Sequence, residues 1–422
     1  MLDLKFIREN PQKVKEGVQK KNAKVDIDAL LHLDGAHRTV LRELEALRAE
    51  QKQKSKTARG ETEELRALKE RVQKAEKSEA EKRGELDKLL RFIPNLPLDE
   101  VPIGADESGN VAVRYVGDKR AFDFEPKDYL TLAERLGIID MERAGKVSGS
   151  RFGYLKGAAA WLEMALVRLA FETAETHGFI PVVPPTLVRP EAMEAMGYVE
   201  RGGEEIYHLS NDGLYLVGTS EQSVGPMHME EIFKDSELPV RYIAFSSCFR
   251  KEAGSYGKDT KGILRVHQFD KVEMFAFCKP ETSRDEHRLL LSIEESLMQK
   301  LAIPYRVLDI CGGDLGDPAA AKFDIEAWMP GQNGGKGEYR ETHSTSNTTD
   351  FQARRLNIRW RADDGAKPEY VHMLNGTAFA IGRTLIALIE NYQTKEGGFM
   401  IPEALKPYVP FKEVKTSDKM TK

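Results

Sequence analysis

Residues 246–275 read SSCFRKEAGSYGKDTKGILRVHQFDKVEMF, and apolar segments typical of β-strands lie at both ends of this stretch. Tyr242–Phe245 (YIAF) leads into it, and Val272–Phe277 (VEMFAF) leads out of it with partial alternation of polar and apolar residues. Residues 252–262 lie between these segments and contain three glycines, a serine and several charged residues, which is typical of a loop. The stretch therefore predicts a β-hairpin with a long loop.

The predicted hairpin carries more charge than strands that pack against an apolar core. Arg250 ends the first strand, and Arg265, Phe269, Lys271 and Glu273 follow in the second. A guanidinium group can bind two phosphate oxygens, and an aromatic ring can stack on a nucleobase. Charged edge strands in solvent have a similar composition. The hairpin alone therefore leaves two interpretations open, a nucleotide site and a solvated edge.

Bulk composition limits the class of protein. A chain of 422 residues predicts about two or three domains. It is 41% hydrophobic and 31% charged, and no apolar run approaches the roughly 18 residues of a membrane span. The N-terminus, MLDLKFIREN, has no apolar signal region. The three cysteines form no CxxC pair, so we expect reduced thiols and a cytoplasmic protein without membrane segments.

Charge is distributed unevenly along the chain. Residues 1–95 carry 23 Lys and Arg against 18 Asp and Glu, whereas the remainder carries 40 against 50. An acidic body with a mildly basic appendage does not suit a general DNA-coating protein. This distribution favours a protein that contacts a polyanion at particular places.

Two long helices are predicted near the N-terminus. Apolar residues recur every three or four positions over residues 27–58 and again over residues 62–92, with Gly60 between them. Helices of similar length with a short connection form an antiparallel hairpin, and at ~1.5 Å per residue each would reach roughly 45 Å. The pattern predicts a projecting helical arm.

The end of this arm is basic. Residues 51–60 read QKQKSKTARG and contain no acid; the cations are Lys52, Lys54, Lys56 and Arg59. Most basic runs of this kind are solvated helix ends. The competing interpretation is an arm that contacts a nucleic-acid phosphate backbone far from the main body.

The rest of the chain predicts a second, larger domain. Strands in hairpins, with helices gathered to one side, favour an α+β fold with an antiparallel sheet. Neither GxxxxGK[ST] nor GxGxxG after a strand occurs, which excludes P-loop and Rossmann nucleotide sites. We expect an N-terminal domain at residues 1–100, a proline-containing linker at 101–122 and a catalytic domain at 123–422.

An ordered set of motifs is more specific than any one of them. The chain contains, in this order, MLDLKFIRENPQKV, GTSEQ, FRKEAG, RVHQFDKVE, FDIEAWMPG, YRETHSTSN, DFQARR and LNGTAFAIGRTLIALIE. This set resembles the bacterial-type seryl-tRNA synthetases, which are class II aminoacyl-tRNA synthetases, from Met1 to about Pro410. The resemblance implies a class II catalytic domain with an antiparallel sheet, a homodimer, and a coiled-coil arm that binds tRNA(Ser). It also implies L-serine and ATP as substrates, Mg²⁺ as cofactor, no DNA partner, and tRNA(Sec) as a further substrate where that tRNA exists.

The same resemblance implies roles in a nucleotide site. Arg250 is similar to the family's α-phosphate arginine, and Arg383 to its γ-phosphate arginine. Phe269 resembles the ring that stacks under adenine, and Glu252 the acid that contacts the adenine amino group. The ATP-binding residues implied in this way are Arg250, Lys251, Glu252, Val266, Phe269, Glu341, Thr342, His343, Ser344 and Arg383, of which Arg250, Glu341 and Arg383 are expected to be catalytic.

A metal site and a serine site are implied as well. Glu341 and Ser344 resemble the family's Mg²⁺ ligands, and a carboxylate with a hydroxyl suits that ion. A site that hydrogen-bonds the substrate hydroxyl can reject alanine strongly. The serine-binding residues implied by the resemblance are Thr219, Ser220, Glu221, Arg250, Glu273 and Thr377.

Two positions depart from the common family pattern. His343 is unusual in the metal segment, and we expect either a solvated neighbour of the site or a phosphate contact. Thr377 stands where many members have serine, which retains the hydroxyl and adds a methyl group.

Two other functions remain open at this point. A synthetase-like enzyme could activate a small amino acid and charge a carrier protein, although such relatives would be expected to lack the basic arm. A non-catalytic RNA-binding paralogue would be expected to have lost Arg250, Glu341 or Arg383, and all three are present.

Overall fold

The computed structural model describes residues 1–57, 62–253, 259 and 261–416. These fall into two compact units, Met1–Leu96 and Pro97–Lys422. Within the described residues, no helix is both long enough and apolar enough to cross a membrane.

The first unit is helical in its described part. Its helices are α1 (Leu4–Glu9), α2 (Pro11–Lys20), α3 (Ile27–Thr57) and α4 (Glu63–Arg91). Thr62 caps α4, because its hydroxyl accepts a hydrogen bond from the Leu65 amide at 3.3 Å. The long pair α3 and α4 confirms the predicted helical arm, whereas Gly60 and Arg59 lie outside the described residues.

Two apolar clusters hold this unit together. The distal cluster joins α3 to α4 through Leu44, Leu47, Leu68, Val72 and Ala75. The basal cluster joins the short helices to the bottom of the arm and contains Ile7, Val14, Val18, Ile27, Leu30, Leu86, Leu90 and Ile93. The spacing of three or four residues in each helix puts the distal set on facing stripes.

The second unit contains both helices and strands. Its α-helices are α5 (Tyr129–Leu136), α6 (Met141–Ser148), α7 (Ala158–Glu175), α8 (Pro190–Met196), α9 (Val199–Gly202), α10 (Glu221–Val224), α11 (Ser283–Lys300), α12 (Gln332–Gly335), α13 (Phe351–Leu356) and α14 (Ile381–Asn391). Its strands are β1 (Val111–Val116), β2 (Ile139–Asp140), β3 (Tyr154–Leu155), β4 (Ile180–Val182), β5 (Leu187–Val188), β6 (His208–Leu209), β7 (Leu214–Leu216), β8 (Ile232–Lys234), β9 (Val240–Phe249), β10 (Gln268–Cys278), β11 (Tyr305–Asp309), β12 (Ala321–Met329), β13 (Glu338–Asn347), β14 (Arg359–Arg361), β15 (Glu369–Tyr370), β16 (His372–Ala380), β17 (Phe399–Met400) and β18 (Glu413–Val414).

One large sheet organises this unit. Its strand order is β1-β11-β12-β13-β16-β10-β9-β4. The β4–β9 pair is parallel, and the other neighbours are antiparallel. The predicted α+β fold with an antiparallel sheet is confirmed.

Helices α7, α11 and α14 pack against the large sheet, and their buried side chains form one apolar cluster with those of its strands. Ile325 of β12 lies in that cluster with Leu290 of α11 and Leu385 of α14. Side chains alternate between the two faces of a strand, so Lys322 and Asp324 of β12 occur on alternate positions from Ile325 and face away from the helices. The polar face opposite the helices is where a ligand site can form.

The predicted linker needs correction. Residues 101–122 contain β1, which forms an edge of the large sheet and pairs with β11, for example Val116 with Tyr305. The sequence VAVRYV has the β-branched and aromatic residues of a strand, but the prolines near it favour the interpretation as a connection. The rest of the proposed domain division stays a prediction.

Candidate active site

The predicted hairpin exists as strands β9 and β10. They pair in register from Gln268 with Phe249 to Phe277 with Val240. Of the predicted loop, the structure describes Glu252, Ala253, Asp259, Lys261 and Gly262. Both strands lie in the interior of the sheet, so the interpretation as a solvated edge is wrong.

A cavity of about 540 Å³ opens above this hairpin. Its walls come from β9, β10, β13, β16, the start of α14 and the segment before α10. The predicted residues that line it are Thr219, Glu221, Arg250, Glu252, Val266, Phe269, Glu273, Glu341, Thr342, His343, Ser344, Thr377 and Arg383.

Two of the residues predicted to bind ATP or serine do not line the cavity. Ser220 is buried at the start of α10, and its hydroxyl has no hydrogen-bond partner among the described residues. Lys251 is exposed, and its Nζ lies 5.7 Å from the centre of the Tyr207 ring. Each neighbours a residue that does line the cavity, and adjacent side chains point in different directions.

Lysines of the basic arm segment lie on the last turns of α3. Lys52 and Lys56 are exposed. Lys54 forms ion pairs with Glu50 at 3.2 Å and Glu64 at 3.6 Å, and these raise its pKa. Their role toward nucleic acid stays a prediction.

Two arginines bring positive charge to the cavity from different elements. Arg250 follows β9, its Nε donates to the Gly218 carbonyl at 3.1 Å, and its guanidinium carbon lies 5.3 Å from the centre of the Phe269 ring. Arg383 lies in the first turn of α14, and its Nη1 is 3.3 Å from Oε2 of Glu341. Two anchored guanidinium groups can bind a polyphosphate at separate points.

Glu252 has an unusual backbone and a specific partner. Its φ is 52°, in the left-handed region that non-glycine residues rarely adopt. Its Oε2 accepts a hydrogen bond from Nη1 of Arg265 at 2.7 Å. Arg265 also lines the cavity, although it is not among the predicted site residues.

Glu221 is a buried carboxylate held by neutral groups. Its Oε2 accepts a hydrogen bond from the Tyr198 hydroxyl at 2.8 Å, and its Oε1 accepts one from Nε2 of Gln352 at 2.7 Å. Burial raises the pKa of Glu221, and these two hydrogen bonds act in the opposite direction. No local sequence pattern indicated Tyr198 or Gln352, because they lie 23 and 131 residues from Glu221.

Glu273 has its own cation. Nζ of Lys271 lies 2.6 Å from Oε2 of Glu273, and both side chains are almost fully buried. Thr377 of the neighbouring strand donates its hydroxyl to the same oxygen at 3.0 Å. Lys271 lines the cavity and was missed as a site residue, although its position two residues before Glu273 indicated that both face the same side of β10.

Oxygen donors line the β12–β13 side of the cavity. Burial acts to raise the pKa of Glu341, but the charges of Arg383 and Lys322 outweigh it and lower that pKa. Ser344 pairs with Asp324 across the two strands. Burial raises the pKa of Asp324 to about 6, against the opposing charge of Lys322 3.3 Å away. Glu341 and Ser344 thus present a carboxylate and a hydroxyl to the cavity, a donor set that fits Mg²⁺.

His343 is not solvated, so that expectation is wrong. It is buried, its Nδ1 lies 2.8 Å from Oγ1 of Thr342, and its ring packs edge-on against Phe379. Burial lowers the pKa of His343 to about 4. The pairing register shifts between Glu326–Glu341 and Ile325–His343, which leaves Thr342 as an extra residue. The His343 ring therefore packs on the apolar side, against Phe379, while the residue still borders the cavity. A neutral imidazole lacks the positive charge that would favour a phosphate, and the role of His343 toward ATP stays a prediction.

Known proteins with similar sequences share this architecture. Residues 1–97 match the model of the seryl-tRNA synthetase N-terminal domain, and residues 207–392 match that of the tRNA synthetase class II core domain (G, H, P, S and T). A serine–tRNA ligase of Thermobifida fusca is 47% identical over 418 residues, covering 97% of each chain. One from Dictyoglomus turgidum is 45% identical over 427 residues, covering 98% of this chain and 99% of that relative.

Solved structures agree with these matches. The seryl-tRNA synthetase of Pyrococcus horikoshii complexed with ATP has a TM-score of 0.92 and 41% identity, covering 98% of this chain and 99% of that one. The cytoplasmic serine–tRNA ligase of Naegleria fowleri in complex with AMP has a TM-score of 0.89 and 35% identity, with the same coverage.

Proposed function

The chain belongs to the seryl-tRNA synthetase family, and from this premise we propose that its cavity activates L-serine with ATP and transfers the seryl group to the 3′ end of tRNA(Ser). One observation carries the proposal. Glu221, held by neutral donors, and Glu273, paired with Lys271, line the same cavity as the arginines Arg250 and Arg383. The cavity therefore presents complementary groups for an amino acid and for a polyphosphate.

The two glutamates suit different parts of serine. The hydrogen bonds that Glu221 accepts from Tyr198 and Gln352 come from neutral donors, so its negative charge can bind the serine ammonium group. Glu273 is already paired with a cation and with Thr377, so it suits the serine hydroxyl as a hydrogen-bond acceptor. Alanine would leave these polar groups unpaired, which disfavours its binding.

The nucleotide occupies the side of the cavity formed by the hairpin. Phe269 offers a ring for adenine to stack on, and Glu252 offers a carboxylate to the adenine amino group. The serine carboxylate attacks the α-phosphorus, a new O–P bond forms, and the bond to the pyrophosphate oxygen breaks. Arg250 and Arg383 hold the phosphates in line and offset their charge during this step.

The metal proposal rests on the donor set. Glu341 and Ser344 would hold Mg²⁺, with phosphate oxygens and water as further ligands. When bound, the ion would offset negative charge on the phosphates. Asp324 lies beside Ser344 and would orient its hydroxyl.

The arm and the apolar surface suit macromolecular partners. We expect Lys52, Lys54, Lys56 and Arg59 to contact the phosphate backbone of tRNA(Ser) and, where a cell has it, of tRNA(Sec).

A homodimer is supported by apolar side chains that are more than half exposed on or near α7 and β4, namely Trp161, Met164, Ile180 and Val183. Sedimentation velocity should therefore show a dimer. A cytoplasmic location suits the three buried, unpaired cysteines.

ATP–pyrophosphate exchange with serine, glycine and alanine tests the proposed activity. Serine alone should support rapid exchange, and tRNA(Ser) should then accept the seryl group. Exchange with glycine or alanine but not serine would favour an enzyme that charges a carrier protein. An absence of exchange with every amino acid would favour a non-catalytic RNA-binding protein.

A further inference from the structure

The DFQARR motif has no role in the proposed chemistry, yet its helix, α13, contacts Glu221 in the wall of the cavity from the side away from the cavity. Asp350 precedes α13, and Gln352, the second residue of that helix, is fully buried. Arg355 lies one turn further on, and it forms a largely buried ion pair with Glu200 of α9 at 3.1 Å. Helix α13 is thus anchored to the elements that surround the Glu221 carboxylate.

The side-chain amide of Gln352 connects the Glu221 carboxylate to the backbone at Met196. Its Nε2 donates to Oε1 of Glu221 at 2.7 Å and lies 3.3 Å from the carbonyl oxygen of Met196. An amide nitrogen carries two hydrogens, so these two acceptors use both and define which end of the amide is nitrogen. Its Oε1 faces the other way and lies 3.1 Å from Oγ1 of Thr348.

The contact with Met196 matters because this residue lies at the start of the turn that leads to Tyr198. Met196 ends α8, Gly197 takes a left-handed conformation with φ of 84°, and Tyr198 comes next. A Cβ at Gly197 would lie 3.0 Å from a ring carbon of Phe351, so the turn packs closely on α13. The Gln352 side chain therefore contacts Glu221 directly. It also contacts the turn that carries Tyr198, the other hydrogen-bond donor to Glu221.

We propose that Gln352 is a positioning residue for the amino acid's ammonium group, which holds Glu221 ionised and turned toward the cavity. The inference rests on the proposed function of Glu221. The side chain at position 352 must be a neutral donor. A cation there would neutralise Glu221 and compete with the substrate's ammonium group, and an ionised acid there would repel the Glu221 carboxylate. The hydrogen bond from Gln352 favours the ionised form of Glu221 against the effect of burial on its pKa.

The test compares Gln352→Met and Gln352→Glu with wild type by ATP–pyrophosphate exchange. Gln352→Met removes the donor and should raise the KM for serine about 10- to 100-fold, the usual effect of losing a hydrogen bond to a buried charge. The KM for ATP should stay within about twofold of the wild-type value, because the nucleotide side of the cavity is unchanged. A raised KM for ATP with an unchanged KM for serine would overturn the inference.

Gln352→Glu gives a pH signature that a packing role would not. When the introduced carboxyl is protonated it can donate to Glu221 as the amide does, and when it is ionised it repels Glu221. The KM for serine, relative to wild type at each pH, should therefore fall as the pH falls from about 8.5 to about 6. A pH-independent ratio would overturn the inference, and this comparison of Gln352→Glu with wild type does not depend on whether Gln352→Met folds.

Gln393→Met is the matched control. Gln393 is also a buried glutamine, and its amide contacts Lys127 and Glu390 away from the cavity. This variant should keep the wild-type KM for serine, and an increase equal to that of Gln352→Met would overturn the inference. Failure of wild type to exchange with serine would instead disprove the proposed function, so the two failures are distinguishable.

Discussion

Lys271 and Glu273, two residues apart on β10, form a buried ion pair with 2.6 Å between Nζ and Oε2 in the wall of the cavity. The same carboxylate oxygen accepts the hydroxyl hydrogen of Thr377. Lys271 already neutralises Glu273, so Glu273 attracts the serine ammonium group only weakly. Glu221 instead accepts hydrogen bonds from a phenol and an amide, which are both neutral. This difference in partners is why Glu221 and Glu273, although both are glutamates, are assigned different roles toward serine.

Lys271→Met is expected to destabilise the fold, because it leaves Glu273 as a buried carboxylate without its cation. Breaking a buried ion pair in this way typically costs about 3–5 kcal/mol in the free energy of unfolding, which urea denaturation can measure. Lys279→Met is the matched control, since Lys279 pairs at 2.5 Å with the more exposed Asp235 and its loss should cost less than about 1 kcal/mol. Adding Glu273→Gln to Lys271→Met should recover part of the stability. Equal losses in the two single variants would contradict the role given to the buried pair.

Thr377→Val removes the hydroxyl that contacts Glu273 while keeping the shape of the side chain. The KM for serine should rise about 10-fold, as expected for one lost hydrogen bond at a charged group, and discrimination against alanine should weaken. Thr377→Ser retains the hydroxyl and should behave like wild type. Exchange assays with serine and alanine provide the measurement. Unchanged discrimination in Thr377→Val would rule out Thr377 as a specificity residue.

His343 should make the protein less stable in mild acid. Burial lowers its pKa to about 4 in the folded state, whereas the unfolded value is about 6.5. Between these values the unfolded chain binds a proton that the folded chain does not, so stability falls as the pH falls, by up to about 1.4 kcal/mol per pH unit. The contribution is fully present above pH of about 6.5.

His343→Asn removes this titration and provides the check. Urea denaturation from pH about 7 to about 4.5 should show a shallower loss of stability in this variant than in wild type. His287, which is also buried and has a pKa lowered to about 4, remains in both proteins and contributes equally. Identical slopes in wild type and His343→Asn would show that His343 does not titrate as described.

The arm can be shortened without removing the base of the first unit. Deleting residues 40–76 and closing the gap with a short Gly-Ser turn removes the distal apolar cluster but keeps Leu30, Leu86 and Leu90 of the basal cluster. Serine-dependent pyrophosphate exchange should be unchanged, whereas charging of tRNA(Ser) should fall at least about 100-fold if the arm supplies several phosphate contacts. Lys52→Gln, Lys54→Gln and Lys56→Gln together should give a smaller loss that grows with salt. Full charging by the shortened protein would contradict a tRNA-binding arm.

Local patterns and the ordered motifs together predicted part of the cavity. The alternation along β10 indicates that Lys271 and Glu273 share a face, and Arg383 follows a glycine within a strongly apolar helix. The resemblance of the ordered motifs identified 13 of the 33 described residues that line the cavity. Ser220 and Lys251 belong to the same motifs but do not line the cavity, because a motif names consecutive residues and their side chains diverge.

The β-bulge at Thr342 shows a different limit of sequence reasoning. The segment RETHSTSN alternates in a way that does not reveal which residue is extra. One unpaired residue reverses the faces of all residues on one side of it. The burial of His343, and with it the low pKa of its imidazole, became evident only from the pairing of β12 with β13.

The helical arm, the antiparallel sheet, the hairpin of β9 and β10 and the kinds of side chain available for chemistry could all be predicted from the amino-acid sequence, since they depend on periodicity and composition within short segments. The three-dimensional packing was needed to show that β1 completes the large sheet and that Gln352 and Tyr198 hold Glu221. Such contacts join residues far apart in the chain. Their formation depends on how helices and strands pack, and no local spacing encodes that.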